Sequence, residues 1–501
     1  MPFSPDAGPV VATSSGSVRG IQRPGSAAFL GIPFAEPPVG ALRFAAPRPR
    51  ARWDGVRDAT RPGATPQLRQ FGPVTTIPEP SFPGDDTLNV NVFTPVPGDR
   101  QARLPVLVWI HGGGFFAGSP SSPWYDGGPF NRDGVVTVSI SYRLGFDGFG
   151  WIDGAPVNRG LLDQLAALRW VRDNIAGFGG DPDRVTIGGQ SAGAASVLAL
   201  LAAPGADGLF RGAIAASPVV IDLTPEESRA AASRVAGRLG LAGLTLDDWR
   251  GVDADRLLDA EREEIGAALA EPTAPLADYV RSLGASEARL SGLALAPVVD
   301  GDTLLPLGQR LRAGVHRDSA LLIGSAANEF PGSAPDDVDR AGIDAAFAAL
   351  GASEAGLAPF WAELELIGTD STRAQITALR MFRLSVAKVV RARADGGAAA
   401  NTWSYDFRYH APSLHRATHC FDLPYAWDLG SGDGVLEALG EAADPVLSAA
   451  VHRSWLAVIT GDGPDWPAAD AAVAGGCVFD RDTGYRPDAY RLEQEIATEL
   501  P

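Results

Sequence analysis

A serine flanked by glycines, Gly189-Gln190-Ser191-Ala192-Gly193, follows the apolar segment Val185-Thr186-Ile187 and opens an Ala/Leu-rich stretch. The pattern describes a strand turning sharply into a helix with a serine at the apex, a strained turn that only tiny neighbours tolerate. The helix N-terminus beneath would favour negative charge at that serine. Its chemistry would be nucleophilic attack, which needs an adjacent base because a hydroxyl is a poor nucleophile at neutral pH. A second glycine cluster, His111-Gly112-Gly113-Gly114-Phe115, closes the apolar run Leu104–Ile110. Successive glycines let main-chain N–H groups converge on one point, as the binding of an oxyanion requires.

Six histidines are candidates for the base. His111 belongs to the glycine loop, and His316, His410 and His452 have no loop signature around them. His415 and His419 remain, both following the strand-like Trp403–Tyr409. Spacing favours His419, which precedes Cys420-Phe421-Asp422-Leu423-Pro424-Tyr425, where the proline can fix the presenting loop. Cys420 lacks any glycine elbow and reads as an inert thiol. The acid that orients the imidazole is Glu329, after Ala320–Ile323 and Gly324, or its rival Asp300, whose Asp-Gly context reads as a turn pair. Phe115, Phe116 and Trp124 either line an apolar pocket or belong to ordinary core packing.

The elements that must position these groups are legible in part. Leu104–Ile110 and Val135–Ile140 are continuous apolar runs, suited to strands buried on both faces. Gly160–Ile175 carries Leu161, Leu165, Leu168 and Val171 at helical spacing, Arg184–Ile187 is another short strand, and a helix follows from Ser191. Strand and helix in alternation predict a mainly parallel sheet covered by helices. The first hundred residues, rich in Pro and Gly, read as hairpins and loops, with Ser17–Ile21 and Leu88–Phe93 alternating. Thr224-Pro225-Glu226-Glu227 is a strong helix start. A second helical block covers Val338–Ala394, where Arg380, Arg383, Lys388, Arg391 and Arg393 read as a solvated face rather than an anion site. Leu295–Val299 is strand-like. The chain is expected to be one α/β domain, 1–501, with helical insertions at about 221–290 and 335–395.

The 501 residues are 45% apolar and 20% charged, with a net charge of −18. An acidic surface of that size disfavours nucleic acid and anionic lipid as partners. No apolar run approaches the roughly 18 residues of a bilayer helix, and the start carries no signal-peptide pattern. Two cysteines are too few for a disulfide scaffold. A cytoplasmic enzyme acting on a small molecule is expected, with its oligomeric state unread.

These segments together resemble the type-B carboxylesterase family of α/β-hydrolases, which includes bacterial para-nitrobenzyl esterases and animal cholinesterases. The resemblance spans nearly the whole chain. It is carried by Gly31-Ile32-Pro33-Phe34-Ala35-Glu36-Pro37-Pro38-Val39-Gly40, Leu42-Arg43-Phe44 and Trp53-Asp54-Gly55-Val56. It continues through Asn158, Gly160-Leu161-Leu162-Asp163-Gln164, Phe178-Gly179-Gly180-Asp181-Pro182 and the Ser191 elbow, to Pro297-Val298-Val299-Asp300-Gly301. It implies an α/β-hydrolase fold with helical insertions over the active site, and ester hydrolysis through an acyl-enzyme. The implied triad is Ser191, Glu329 and His419, with Gly113, Gly114 and Ala192 as oxyanion donors and Ser217 behind the glutamate. No metal or organic cofactor is implied.

Three departures stand out. Thr87 replaces the cysteine of disulfide-bearing members, as suits a bacterial cytoplasmic protein. Phe71–Asp86 holds no tryptophan like that of the cholinesterases, which argues against choline esters. Phe330 follows the glutamate where glycine is common, so the acid loop is expected to be shaped differently. A catalytically inactive adhesion module on the same fold, or an amidase, lactonase or acyltransferase, is the competing expectation.

Overall fold

The computed structural model describes residues 8–67, 76–268, 274–284, 293–330, 332, 338–470 and 472–500. A small sheet joins β1 (Val10–Ala12), β2 (Ser17–Arg19) and β5 (Val56–Asp58). The main sheet has eleven strands: β3 (Ile21–Arg23), β4 (Ser26–Pro33), β6 (Asn89–Thr94), β7 (Leu104–Ile110), β8 (Val136–Ile140), β9 (Gly180–Gln190), β10 (Gly212–Ala216), β11 (Ala320–Ala326), β12 (Thr402–Phe407), β13 (Gly476–Phe479) and β14 (Gly484–Arg486). Their order is β14-β13-β12-β11-β10-β9-β7-β8-β6-β4-β3. From β8 to β13 every pairing is parallel, and the flanking pairs are antiparallel.

The apolar runs become the central strands because both faces of the sheet are covered. Val106 to Ile110 and Val136, Val138 and Ile140 are fully buried. The helix Arg159–Asn174 buries Leu161, Leu165, Leu168 and Val171 along one stripe. Thr224 caps Pro225–Leu239 through a capping box, its main-chain N–H donating to Glu227 Oε2 at 3.0 Å.

The registers align the ends of the parallel strands. Ile110 lies opposite Gly189, Gln190 opposite Ala216, Ala216 opposite Gly324, and Ala326 opposite Phe407. The loops that follow β7, β9, β10, β11 and β12 therefore leave one edge of the sheet together. Carboxyl ends of parallel strands are where α/β proteins build their sites.

Two expectations are corrected. Leu295–Val299 is not a strand: its one sheet-like contact is a bridge from Val298 to Leu223, and Asn158 Nδ2 donates to the Val298 carbonyl at 2.8 Å. An apolar run buried by loops reads like a buried strand in sequence. The basic residues of the second helical block are not one solvated face either: Arg383, Lys388 and Arg393 are buried, Arg380 is half-buried and Arg391 is exposed. Arg383 is buried and grips Asp406 at 2.8 and 3.2 Å as well as Glu493. Arg393 is buried against the Ser319 carbonyl, and Arg391 holds Gln494. These cations tie the helix Leu384–Asp395, and the turn before it, to β12 and to the C-terminal helix Arg491–Ile496.

Candidate active site

The strand β9 ends at Gln190 and the helix Ala192–Ala202 begins two residues later, leaving Ser191 at φ 57°, ψ −122°. That geometry is open only because both flanking glycines are bare. A Cβ on Gly189 would stand 2.4 Å from the Gly193 carbonyl carbon, and one on Gly193 would stand 2.0 Å from the Ile110 oxygen. The Ser191 N–H is anchored to the Ala216 carbonyl at 2.9 Å. Strain of this kind persists where the surrounding structure over-determines it.

After β7 the chain turns through Gly113 (φ 109°) and Gly114 (φ 61°). His111 is fully buried, stacked on Tyr142 at 4.6 Å between ring centres. Burial pushes its pKa down to about 4, so it stays neutral and braces the loop. Ala192 is the first residue of its helix, where an N–H has no partner within the helix.

A cavity of about 490 Å³ opens above these turns, a usual size for a small-molecule site. Its lining includes Gly113, Gly114, Ser191, Ala192 and His419. The His419 ring is fixed from one side by Glu329, whose Oε2 lies 2.5 Å from Nδ1. Glu329 is itself fully buried. Its Oε1 accepts the Ala326 N–H at 2.9 Å, and its carbonyl accepts the His419 N–H at 2.9 Å. On the far side of the imidazole, the Gln190 amide nitrogen stands 3.0 Å from Nε2. With Nδ1–H given to the carboxylate, Nε2 carries the lone pair that a base uses.

Burial opposes a charged imidazole here, but Cys420 and Glu329 outweigh it and raise the His419 pKa well above the ordinary 6.5. Burial also raises the Cys420 thiol above its usual value, so it is neutral at neutral pH and the carboxylate is the effective anion. Pro424 lies in the first turn of the short helix Leu423–Ala426 that follows this loop.

The competing candidates stand elsewhere. His415 is exposed. Asp300 accepts from Asn158 Nδ2 at 3.2 Å and from the Asp302 and Leu304 N–H groups, as a turn residue does. Ser217, at φ 48°, follows β10, and its hydroxyl is buried with no hydrogen-bond partner among the described residues. Of the three aromatics near the glycine loop, Phe116 lines the cavity. Phe115 packs on Phe149, and the buried Trp124 donates to the Asp433 carbonyl at 2.9 Å. Sequence reasoning missed Glu79, Tyr125, Val219, Met381 and Phe382 in the lining. Phe330, whose departure from glycine was visible, sets its ring 5.4 Å from His419, beside Phe382 at 4.9 Å.

Residues 7–352 match the model of the carboxylesterase family. The chain belongs to the carboxylesterase family. It is 36% identical over 481 residues to the para-nitrobenzyl esterase of Bacillus subtilis, covering 92% of each chain. It is 33% identical over 506 residues to the phenmedipham hydrolase of Pseudarthrobacter oxydans, covering 93% of this chain and 94% of the relative. A solved para-nitrobenzyl esterase superposes with a TM-score of 0.78 at 30% identity, over 98% of this chain and 99% of that one. The fold is that of the α/β-hydrolases, and the protein is a carboxylic ester hydrolase. Among the described residues of this esterase, no helix is long and apolar enough to cross a membrane.

Proposed function

We propose that this esterase cleaves its substrates through an acyl-enzyme formed on Ser191. Ser191 attacks the ester carbonyl, and His419 Nε2 takes its proton and later delivers it to the leaving alcohol. Glu329 holds the tautomer and stabilises the imidazolium. The N–H groups of Gly113, Gly114 and Ala192 receive the tetrahedral oxyanion. Water activated by His419 then releases the acid. Attack requires Ser191 to take the place of the Gln190 amide at Nε2. Ser217, whose N–H donates to the Gly324 carbonyl of β11, is the remaining member of the proposed site.

The observation that carries this reading is the imidazole of His419, paired at 2.5 Å with a fully buried carboxylate while sharing one cavity with a strained serine. The helices Pro225–Leu239, Ala254–Ala268 and Leu276–Ser282, and those between Arg340 and Asp395, are read as insertions in one hydrolase domain. A cytoplasmic setting is supported by two free, buried thiols, Cys420 and Cys477. The test is Ser191→Ala assayed on a short-chain nitrophenyl ester and labelled with an organophosphate. Turnover is expected to fall to about 10³–10⁴ over water, with labelling abolished. Wild-type turnover in that variant overturns the assignment.

A further inference from the structure

Among the described residues the cavity wall holds one carboxylate, Glu79, together with Tyr125, Cys420 and His419. Among the described residues this carboxylate has no hydrogen bond and no ion pair, and the lining includes no lysine or arginine. The rest of the wall is dominated by Ile77, Phe116, Val219, Met381 and Phe382. A half-buried carboxylate that faces apolar side chains has lost water without gaining a partner. Its pKa accordingly rises to about 7, with burial as the cause. Glu329 is spoken for by Ala326 and His419, so it cannot serve an incoming charge. The missing partner of Glu79 is a cation with an N–H to donate, and the open face of this carboxylate is the substrate cavity itself.

We propose that Glu79 selects esters that carry a basic amine, the protonated amine pairing with its carboxylate while the ester carbonyl lies at Ser191. A cation at that point supplies the hydrogen bond the carboxylate lacks and favours its ionised form. An anionic substrate meets the opposite field and is disfavoured. Charged hydrogen bonds of this kind change specificity by about 10- to 100-fold. The inference rests on the reading of Ser191 as nucleophile, and the experiment keeps the two separable.

Wild type, Glu79→Gln, Glu79→Asp and Ser191→Ala are assayed at pH 8 on three acetate esters of matched length. Their alcohols are 3-(dimethylamino)propanol, its uncharged carbon isostere 4-methylpentanol, and 4-hydroxybutanoate. The readout is the ratio of kcat/KM values within each variant, which cancels any general loss of folded enzyme. Wild type is expected to prefer the amine ester over its isostere and to handle the anionic ester worst. Glu79→Gln is expected to lower the amine-to-isostere ratio by about 10- to 100-fold, with Glu79→Asp keeping the charge and part of the ratio. An unchanged ratio in Glu79→Gln, or no preference in wild type, overturns the role of Glu79 and leaves Ser191 untouched. Hydrolysis of all three esters by Ser191→Ala at wild-type rates overturns the nucleophile instead.

Discussion

The Gln190 side-chain amide stands 3.0 Å from His419 Nε2, the nitrogen proposed to accept the proton of Ser191. The residue just before Ser191 thus occupies one ring nitrogen of His419, while Glu329 holds the other. Replacing this neutral amide by a carboxylate, Gln190→Glu, places a second negative charge beside the imidazole. The acid limb of kcat/KM is expected to move to higher pH by about one unit, because a nearby opposite charge favours the imidazolium. A pH–rate profile measures it directly, and an unmoved limb refutes the contact.

The wild-type profile carries its own prediction. In the proposed mechanism only neutral His419 acts as base, and its pKa is raised well above 6.5. Activity is therefore expected to fall as pH drops through a midpoint above 6.5. A plateau extending down to pH 5 contradicts this assignment of the base.

Glu329 accepts at both oxygens, from the Ala326 N–H and from His419. Glu329→Gln keeps the shape but removes the charge and allows the amide to donate to Nδ1, which favours the wrong tautomer. A fall in kcat of about 10⁴ with a little-changed KM is expected from steady-state kinetics. A loss of tenfold or less would deny Glu329 that role.

Arg383 joins Asp406 and Glu493 inside the protein, and Arg408 reaches Asp406 at 2.7 Å from the other side. Arg383→Ala strands the buried Glu493 and leaves Asp406 with Arg408 alone. A loss of about 3–5 kcal/mol is expected in chemical denaturation. A variant as stable as wild type would mean that the network contributes no net stability.

Glu261, on the helix Ala254–Ala268, is buried, and burial raises its pKa to about 8 although the Phe146 N–H donates to it. The folded state therefore binds a proton that the unfolded chain has released above its ordinary 4.5. Stability attributable to this group is full below pH 4.5 and declines as pH rises through about 8. Glu261→Gln is expected to gain roughly 3–5 kcal/mol relative to wild type at pH 9, and almost nothing at pH 4. Melting curves at the two pH values decide it.

What the sequence determined by itself is what neighbours along the chain enforce. The Ser191 turn is legible because its restraints reach only from Gly189 to Gly193 and to the strand beside them. The Thr224 cap and the stripe of Arg159–Asn174 are legible for the same reason, since each is closed within a few turns. Glu329 and His419 were placed by likeness as much as by pattern, because spacing favours each only narrowly over Asp300 and His415.

The tertiary structure decided what depends on partners far along the chain. The β11–β12 register brings the Glu329 and His419 loops to the edge where Ser191 stands, while His415, four residues away, is left exposed. Arg383, in a basic run that reads as solvated, is buried once Asp406 and Glu493 close on it. Glu79 is one acidic residue in a Pro-rich loop until the cavity forms around it. A charge's meaning is set by what surrounds it in space, and only folding brings those surroundings together.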